Sequence, residues 1–206
     1  MNEPRKRMGR GEEALERLMS GNRRYARSKM THPGQAADRR ESLVSGQHPF
    51  AIVLGCSDSR IPPEIIFDQG LGDIFVVRVA GNIVDDTVTG SIEYAAGHLE
   101  VQLLLVLGHS RCGAVNAAMT EDGREGCIPG ILAAIGPAVE RARGMPGDLA
   151  ENAEKIHVRM TAEHLRETGP LLSGLVEEGR LLVVAAYYDL ASGAVEILPQ
   201  AAMKHE

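Results

Sequence analysis

Short apolar runs separated by amphipathic stretches dominate the chain, and their alternation predicts its architecture. Phe50 to Leu54, Ile74 to Val79, Gln102 to Leu107 and Leu181 to Tyr187 are short and largely aliphatic, the pattern of strands covered on both faces. Arg78 interrupts the second of these, and Ala194 to Leu198, after the turn signal Ser192-Gly193, reads as a fifth strand. It lies close enough to the fourth to form an antiparallel hairpin at the sheet edge. Between the runs, helical spacing of apolar residues predicts helices over 11–27, 86–99, 113–119, 131–143, 149–167 and 171–178. Pro62 and Pro63 suit the first turn of a short helix through Phe67, and a further short helix is expected near Asp38 to Val44. Ala80-Gly81-Asn82 reads as a turn, and Gly123 and Gly126 mark a loop.

Strands separated by helices imply parallel crossovers. The expected fold is therefore α/β, a mostly parallel central sheet of about five strands flanked by helices, with an N-terminal helical arm. The 206 residues fit one domain, 1–206, with residues 1–10 a disordered tail and 11–48 the arm and its connection.

Composition narrows the partners more than the fold. A net charge of −6 argues against nucleic acid, whose phosphates would repel it, and the basic start at Arg5, Lys6, Arg7 and Arg10 reads as a solvated tail. No apolar run reaches the roughly 18 to 20 residues of a membrane helix, and the N-terminus lacks the apolar segment of a secretory signal, so a cytoplasmic protein is expected. The three cysteines, Cys56, Cys112 and Cys127, cannot all pair with one another, and a reducing compartment favours free or metal-bound thiols.

The chemistry concentrates at two strand ends. Gly55-Cys56-Ser57-Asp58-Ser59-Arg60 follows the first run, and His109-Ser110-Arg111-Cys112-Gly113 follows the third. Open α/β sheets place their ligands at such ends. Two thiolates and an imidazole suit Zn2+, and three protein ligands leave a tetrahedral ion one position for water or substrate, as in catalytic sites. Cys127, in a loop, could supply a fourth ligand, which would make the site structural. Alone, each cysteine could equally be a small buried hydrophobe. The other histidines, among them His157, show no paired spacing and read as surface or packing residues, although one could relay a proton.

In Cys56-x-Asp58-x-Arg60 and His109-x-x-Cys112 the sequence resembles the β-class carbonic anhydrases, and the likeness runs in order and spacing across residues 11–198. The resemblance implies one Zn2+ per chain held by Cys56, His109 and Cys112, with Asp58 and Arg60 as the catalytic dyad. It implies reversible hydration of CO2 to bicarbonate and a proton by attack of zinc-bound hydroxide. It also implies a homodimer or dimer-based tetramer, with the N-terminal helix embracing the partner. Gln47, Phe75, Tyr94 and Gly113 match substrate-pocket positions of a plant-like subgroup, in which the position of Ala80 is often a larger aliphatic residue.

Some members have a closed state in which the counterpart of Asp58 becomes a fourth metal ligand. Another subgroup, with a second bicarbonate site, carries Trp where this chain has Val53, although Gly55 resembles that subgroup. Two thiolates cancel the charge of the ion, so activity is expected to rise through mildly alkaline pH. Rival readings are the same site acting on COS or CS2, a non-catalytic zinc-binding or sensing protein, and a thiol enzyme using Cys56 as nucleophile.

Overall fold

The five apolar runs form one sheet in a computed structural model that describes residues 9–120, 122 and 125–199. The strands are β1 (Ala51–Gly55), β2 (Ile74–Arg78), β3 (Leu103–His109), β4 (Leu182–Tyr188) and β5 (Val195–Ile197), in the spatial order β2-β1-β3-β4-β5. β1 pairs in parallel with β2 and β3, β3 in parallel with β4, and β4 antiparallel with β5. The α/β architecture expected from the alternation of runs and helices is the one observed.

Helices cover both faces, which is why β1 and β3 are apolar at successive positions. On one face Val53, Leu103, Leu105 and Leu107 pack with Leu18 of α1 (Arg10–Ala26), Ile66 of α3 (Pro63–Ile66), Val115 of α5 (Gly113–Thr120) and Ile135 of α6 (Ile128–Ala142). On the other, Ile52, Leu54, Leu104 and Val106 meet Ile92 of α4 (Asp86–Glu93), Val158, Ala162 and Leu165 of α7 (Leu149–Glu167), and Leu172 of α8 (Gly169–Glu177). A short α2 (Ala37–Ser42) lies in the polar connection.

Helix α1 is pinned to the body of its own chain. Its Ala14 and Leu18 are buried, and a Cβ on Gly21 would stand 1.7 Å from the Phe67 carbonyl oxygen, so only glycine permits that approach. One residue on, Asn22 donates to the Ile66 and Gly193 carbonyls at 3.2 and 2.9 Å and accepts from the Val195 N–H at 2.8 Å. Asp68, buried with φ of 46°, accepts from Arg24 Nε at 2.6 Å, from the backbone N–H of Thr31 and His32, and from the Thr31 hydroxyl.

Three expectations need correction. The stretch 86–99 is α-helical only to Glu93 and then widens into a π turn over Tyr94–His98, closed by the Leu99 N–H on the Tyr94 carbonyl at 3.3 Å. Helix α6 begins at Ile128, with Pro129 in its first turn, where its missing N–H has no helical acceptor to lose. Arg10, assigned to the tail, is the first residue of α1, whereas Arg5, Lys6 and Arg7 lie outside the described residues.

Candidate active site

The register of the parallel sheet brings the two motifs together. Gly55 of β1 stands opposite Leu107 of β3, so Cys56, one residue past Gly55, and His109, two past Leu107, emerge at the same edge. Cys112 sits in the turn before α5. Cys56 Sγ, a ring nitrogen of His109 and Cys112 Sγ all lie within 4.8 Å of one another, and all three residues are buried. Sulfur at about 2.3 Å and nitrogen at about 2.0 Å from one tetrahedral ion would sit roughly 3.5 to 3.8 Å apart, so the group can close on an ion with little movement.

The donor chemistry fits as well. His109 Nδ1 lies 3.0 Å from the Ser110 carbonyl, which can only accept, so Nδ1 carries the proton and Nε2 the lone pair. Nε2 is buried with no hydrogen-bond partner, a costly state unless something electrophilic occupies the point it faces. The hydrogen bond from Cys112 pulls Cys56 down to about 4 against the effect of burial, with the neighbouring imidazole of His109 and then the Gly81 N–H, 3.2 Å from Cys56 Sγ, adding to the fall. Cys112 moves up for the complementary reason, its bond to Cys56 and its burial. A divalent cation bound between the two sulfurs would take the place of the proton the pair shares.

Asp58 is turned to Arg60 and is not in the ligand group. Arg60 donates Nε to Asp58 Oδ1 at 2.9 Å and an η nitrogen to Oδ2 at 2.6 Å, while its backbone N–H also reaches Oδ1 at 2.9 Å. The side-chain bond to Arg60 is the largest reason that the carboxyl falls to about 2, outweighing its burial. Arg60 also donates to the Arg111 carbonyl at 3.2 Å, tying the turn after β1 to the turn after β3. Arg78, placed opposite Gly55 by the β1–β2 register, fastens the same turn through the Cys56 carbonyl at 2.9 Å and the Asp58 carbonyl at 2.6 Å.

The expected pocket residues are spread more widely. Phe75 on β2 and Tyr94 at the end of α4 form a tilted pair with centroids 6.3 Å apart, and Tyr94 is half exposed. Gly113 opens α5, and a Cβ there would meet nothing within 4 Å. Gln47 is exposed in the segment leading to β1, and Ala80 is half buried in the turn after β2. Cys127 is exposed at the start of α6 and is not in the ligand group.

A family model described as carbonic anhydrase matches residues 51–195. The chain belongs to the β-carbonic anhydrase family. Carbonic anhydrase 2 of Mycobacterium tuberculosis is 41% identical over 185 residues, covering 87% of this chain and 89% of that protein. The carbonic anhydrase of Mycolicibacterium smegmatis is 39% identical over 188 residues, covering 89% and 91%. Among solved structures, a tetrameric β-carbonic anhydrase from Sordaria macrospora superposes with a TM-score of 0.72 at 26% identity, covering 90% of this chain and 97% of that one. Carbonic anhydrases are lyases, and the Cys-His-Cys group of this member is one that could hold a metal.

Sequence reasoning missed the groups behind Cys56, His109 and Cys112. Glu154 of α7, buried, accepts from the Cys112 N–H at 2.8 Å and from the Tyr187 hydroxyl at 2.6 Å. Burial raises its pKa, opposed by those two hydrogen bonds. It also lines a cavity of about 620 Å³ with Ser110, Arg111, Lys155 and Tyr187, a cavity that Cys56, His109 and Cys112 do not line. His157, one turn along α7, is buried with Nε2 2.7 Å from the Gly81 carbonyl. The available signal was spacing: Glu154 and His157 are polar residues at i and i+3 on the apolar stripe that includes Ala153, Val158, Ala162 and Leu165.

Proposed function

We propose that the chain catalyses the reversible hydration of CO2 to bicarbonate with one Zn2+ held by Cys56, His109 and Cys112. The observation that carries this reading is that a ring nitrogen of His109 and the sulfurs of Cys56 and Cys112, all buried, lie within 4.8 Å of one another while His109 Nε2 has no hydrogen-bond partner. Bound there, Zn2+ would supply Lewis acidity and a water-derived nucleophile.

The protein's own part begins at Asp58. Oδ1 accepts two hydrogen bonds and Oδ2 one, so Oδ2 keeps the freer lone pair with which to accept a hydrogen bond from the nucleophile and so aim it at the carbon of CO2. Arg60 holds that carboxylate in place through its two side-chain hydrogen bonds, and in this arrangement Asp58 stands outside the Cys56, His109 and Cys112 group and does not serve as a fourth ligand. Phe75 and Tyr94 form an apolar wall suited to a small apolar substrate, with Gln47 and the Gly113 N–H as polar contacts.

Assembly as a homodimer or a pair of dimers accords with β2, an edge strand whose residues Ile74 to Val77 are only half buried. Among the described residues no helix is long and apolar enough to cross a membrane.

Stopped-flow CO2 hydration on protein of measured zinc content tests the reading, with Cys56→Ser beside the parent and COS and CS2 as competing substrates. The parent should hydrate CO2 in proportion to zinc, and Cys56→Ser should lose both metal and rate. Tightly bound zinc without hydration would favour a sensing protein, faster turnover of COS or CS2 would shift the substrate, and activity in the metal-free parent would indicate a thiol enzyme.

A further inference from the structure

Helix α7 crosses directly behind the ligands. A Cβ on Gly108 would stand 2.0 Å from Val158 Cγ2, so the helix touches β3 one residue before His109. The neighbouring His157 is 5% exposed, and its Nε2 lies 2.7 Å from the Gly81 carbonyl. A carbonyl only accepts, so the proton is on Nε2. Gly81 sends its own N–H to Cys56 Sγ at 3.2 Å from a turn closed by the Asn82 N–H on the Val79 carbonyl at 2.9 Å. Its φ of 69° is one that glycine adopts without strain.

We infer that His157 is a positioning residue: by donating to the Gly81 carbonyl it aims the Gly81 N–H at Cys56 Sγ, and so sets the direction and donor strength of that sulfur toward a bound metal. This rests on the reading of Cys56, His109 and Cys112 as the metal site. An N–H directed at a thiolate withdraws charge from it and restricts its side-chain rotation. The carbonyl of Gly81, a buried residue, would lose its partner without His157, and the turn would rotate to recover one. Burial holds the imidazole below its ordinary pKa, which keeps it neutral with its single N–H committed to Gly81.

The test replaces His157 by Gln, which carries an N–H donor to a similar reach, and by Leu, which carries none. Both variants and the parent are loaded with Co2+, whose thiolate charge-transfer bands report the Cys–metal bonds, and dissociation constants are measured against a competing chelator. His157→Leu should bind the metal on the order of 10- to 100-fold more weakly, with displaced charge-transfer bands, while His157→Gln stays within about threefold of the parent. Parent-like affinity and spectrum in His157→Leu, or equal losses in both variants, overturn the inference. Should His157→Leu not fold, long-range 1H–15N spectra of the metal-loaded parent decide: a proton on Nε2 of His157 supports the assignment, and a proton on Nδ1 overturns it. A parent protein that shows no thiolate bands with Co2+ refutes the metal site itself, a failure distinct from that of His157.

Discussion

Removing the Arg60 side chain separates the charge of Asp58 from its position. In Arg60→Ala the two side-chain bonds at 2.9 and 2.6 Å disappear, while the backbone N–H of residue 60 still reaches Oδ1 at 2.9 Å. The Asp58 pKa then climbs from about 2 toward the ordinary 3.8, and at neutral pH the carboxyl is ionised at either value. Any loss of rate at pH 7 to 8 therefore reports geometry. A positioned proton acceptor contributes about 10²- to 10⁴-fold, and displacement by about 1 Å can cost on the order of 10²-fold. With one of the three anchors retained, Arg60→Ala should lose roughly 10- to 100-fold in kcat, less than Asp58→Asn, which loses the acceptor itself. Stopped-flow hydration with zinc content measured on the same sample checks this, and zinc should stay near one per chain. Undiminished kcat with full metal would refute the role of the pair. Loss of rate in step with loss of zinc would show that Arg60 serves the fold of the turn, through its bond to the Arg111 carbonyl, and not the reaction.

Removing the metal with a chelator should lower thermal stability as well as activity, because an ion that binds only the folded chain stabilises it by mass action, and added Zn2+ should restore both; unchanged melting would place the ion elsewhere. Asp68→Asn should destabilise by about 2 kcal/mol near pH 7, the worth of a carboxyl held at about 2 in place of 3.8, as measured by urea unfolding. Because the folded pKa is the lower one, that contribution is full above about pH 4 and is lost as pH falls toward 2, so the gap between parent and variant should close in acid. Gly108→Ala forces a methyl into Val158 and should cost about 1 to 3 kcal/mol, with Val158→Ala recovering part of it in the double variant. Additive losses would show that α7 does not rest on β3 at that point.

Much of this molecule is legible along one dimension. β1 and β3 announce themselves as continuous aliphatic runs because both faces are covered, and α7 runs from Leu149 to Glu167 as its spacing predicts, capped by the Asp148 carboxylate on the Glu151 N–H. Cys56, His109 and Cys112 are readable because each stands at or just past the end of a recognisable strand. The supporting groups were not, since their meaning depends on how α7 crosses β3: nothing in Glu-x-x-His states that one side chain will find the Cys112 N–H and the other the Gly81 carbonyl. Arg78 looked like a blemish in a strand, yet as the last residue of β2 opposite Gly55 it ties down the Cys56 turn. The π turn over Tyr94–His98 escaped notice because its buried alanines, Ala95 and Ala96, suit a normal helix as well as a wide one.

The single amide of Asn22 joins the first helix, the end of α3 and the start of the last strand. Residues more than 170 positions apart are thereby stitched into one seam, |i−j| being 171 and 173 for two of its bonds. Helix α1 and the approach to β5 thus share one anchor, so a change at Asn22 would withdraw bonds from both and loosen the cover that Leu18 gives to one face of the sheet.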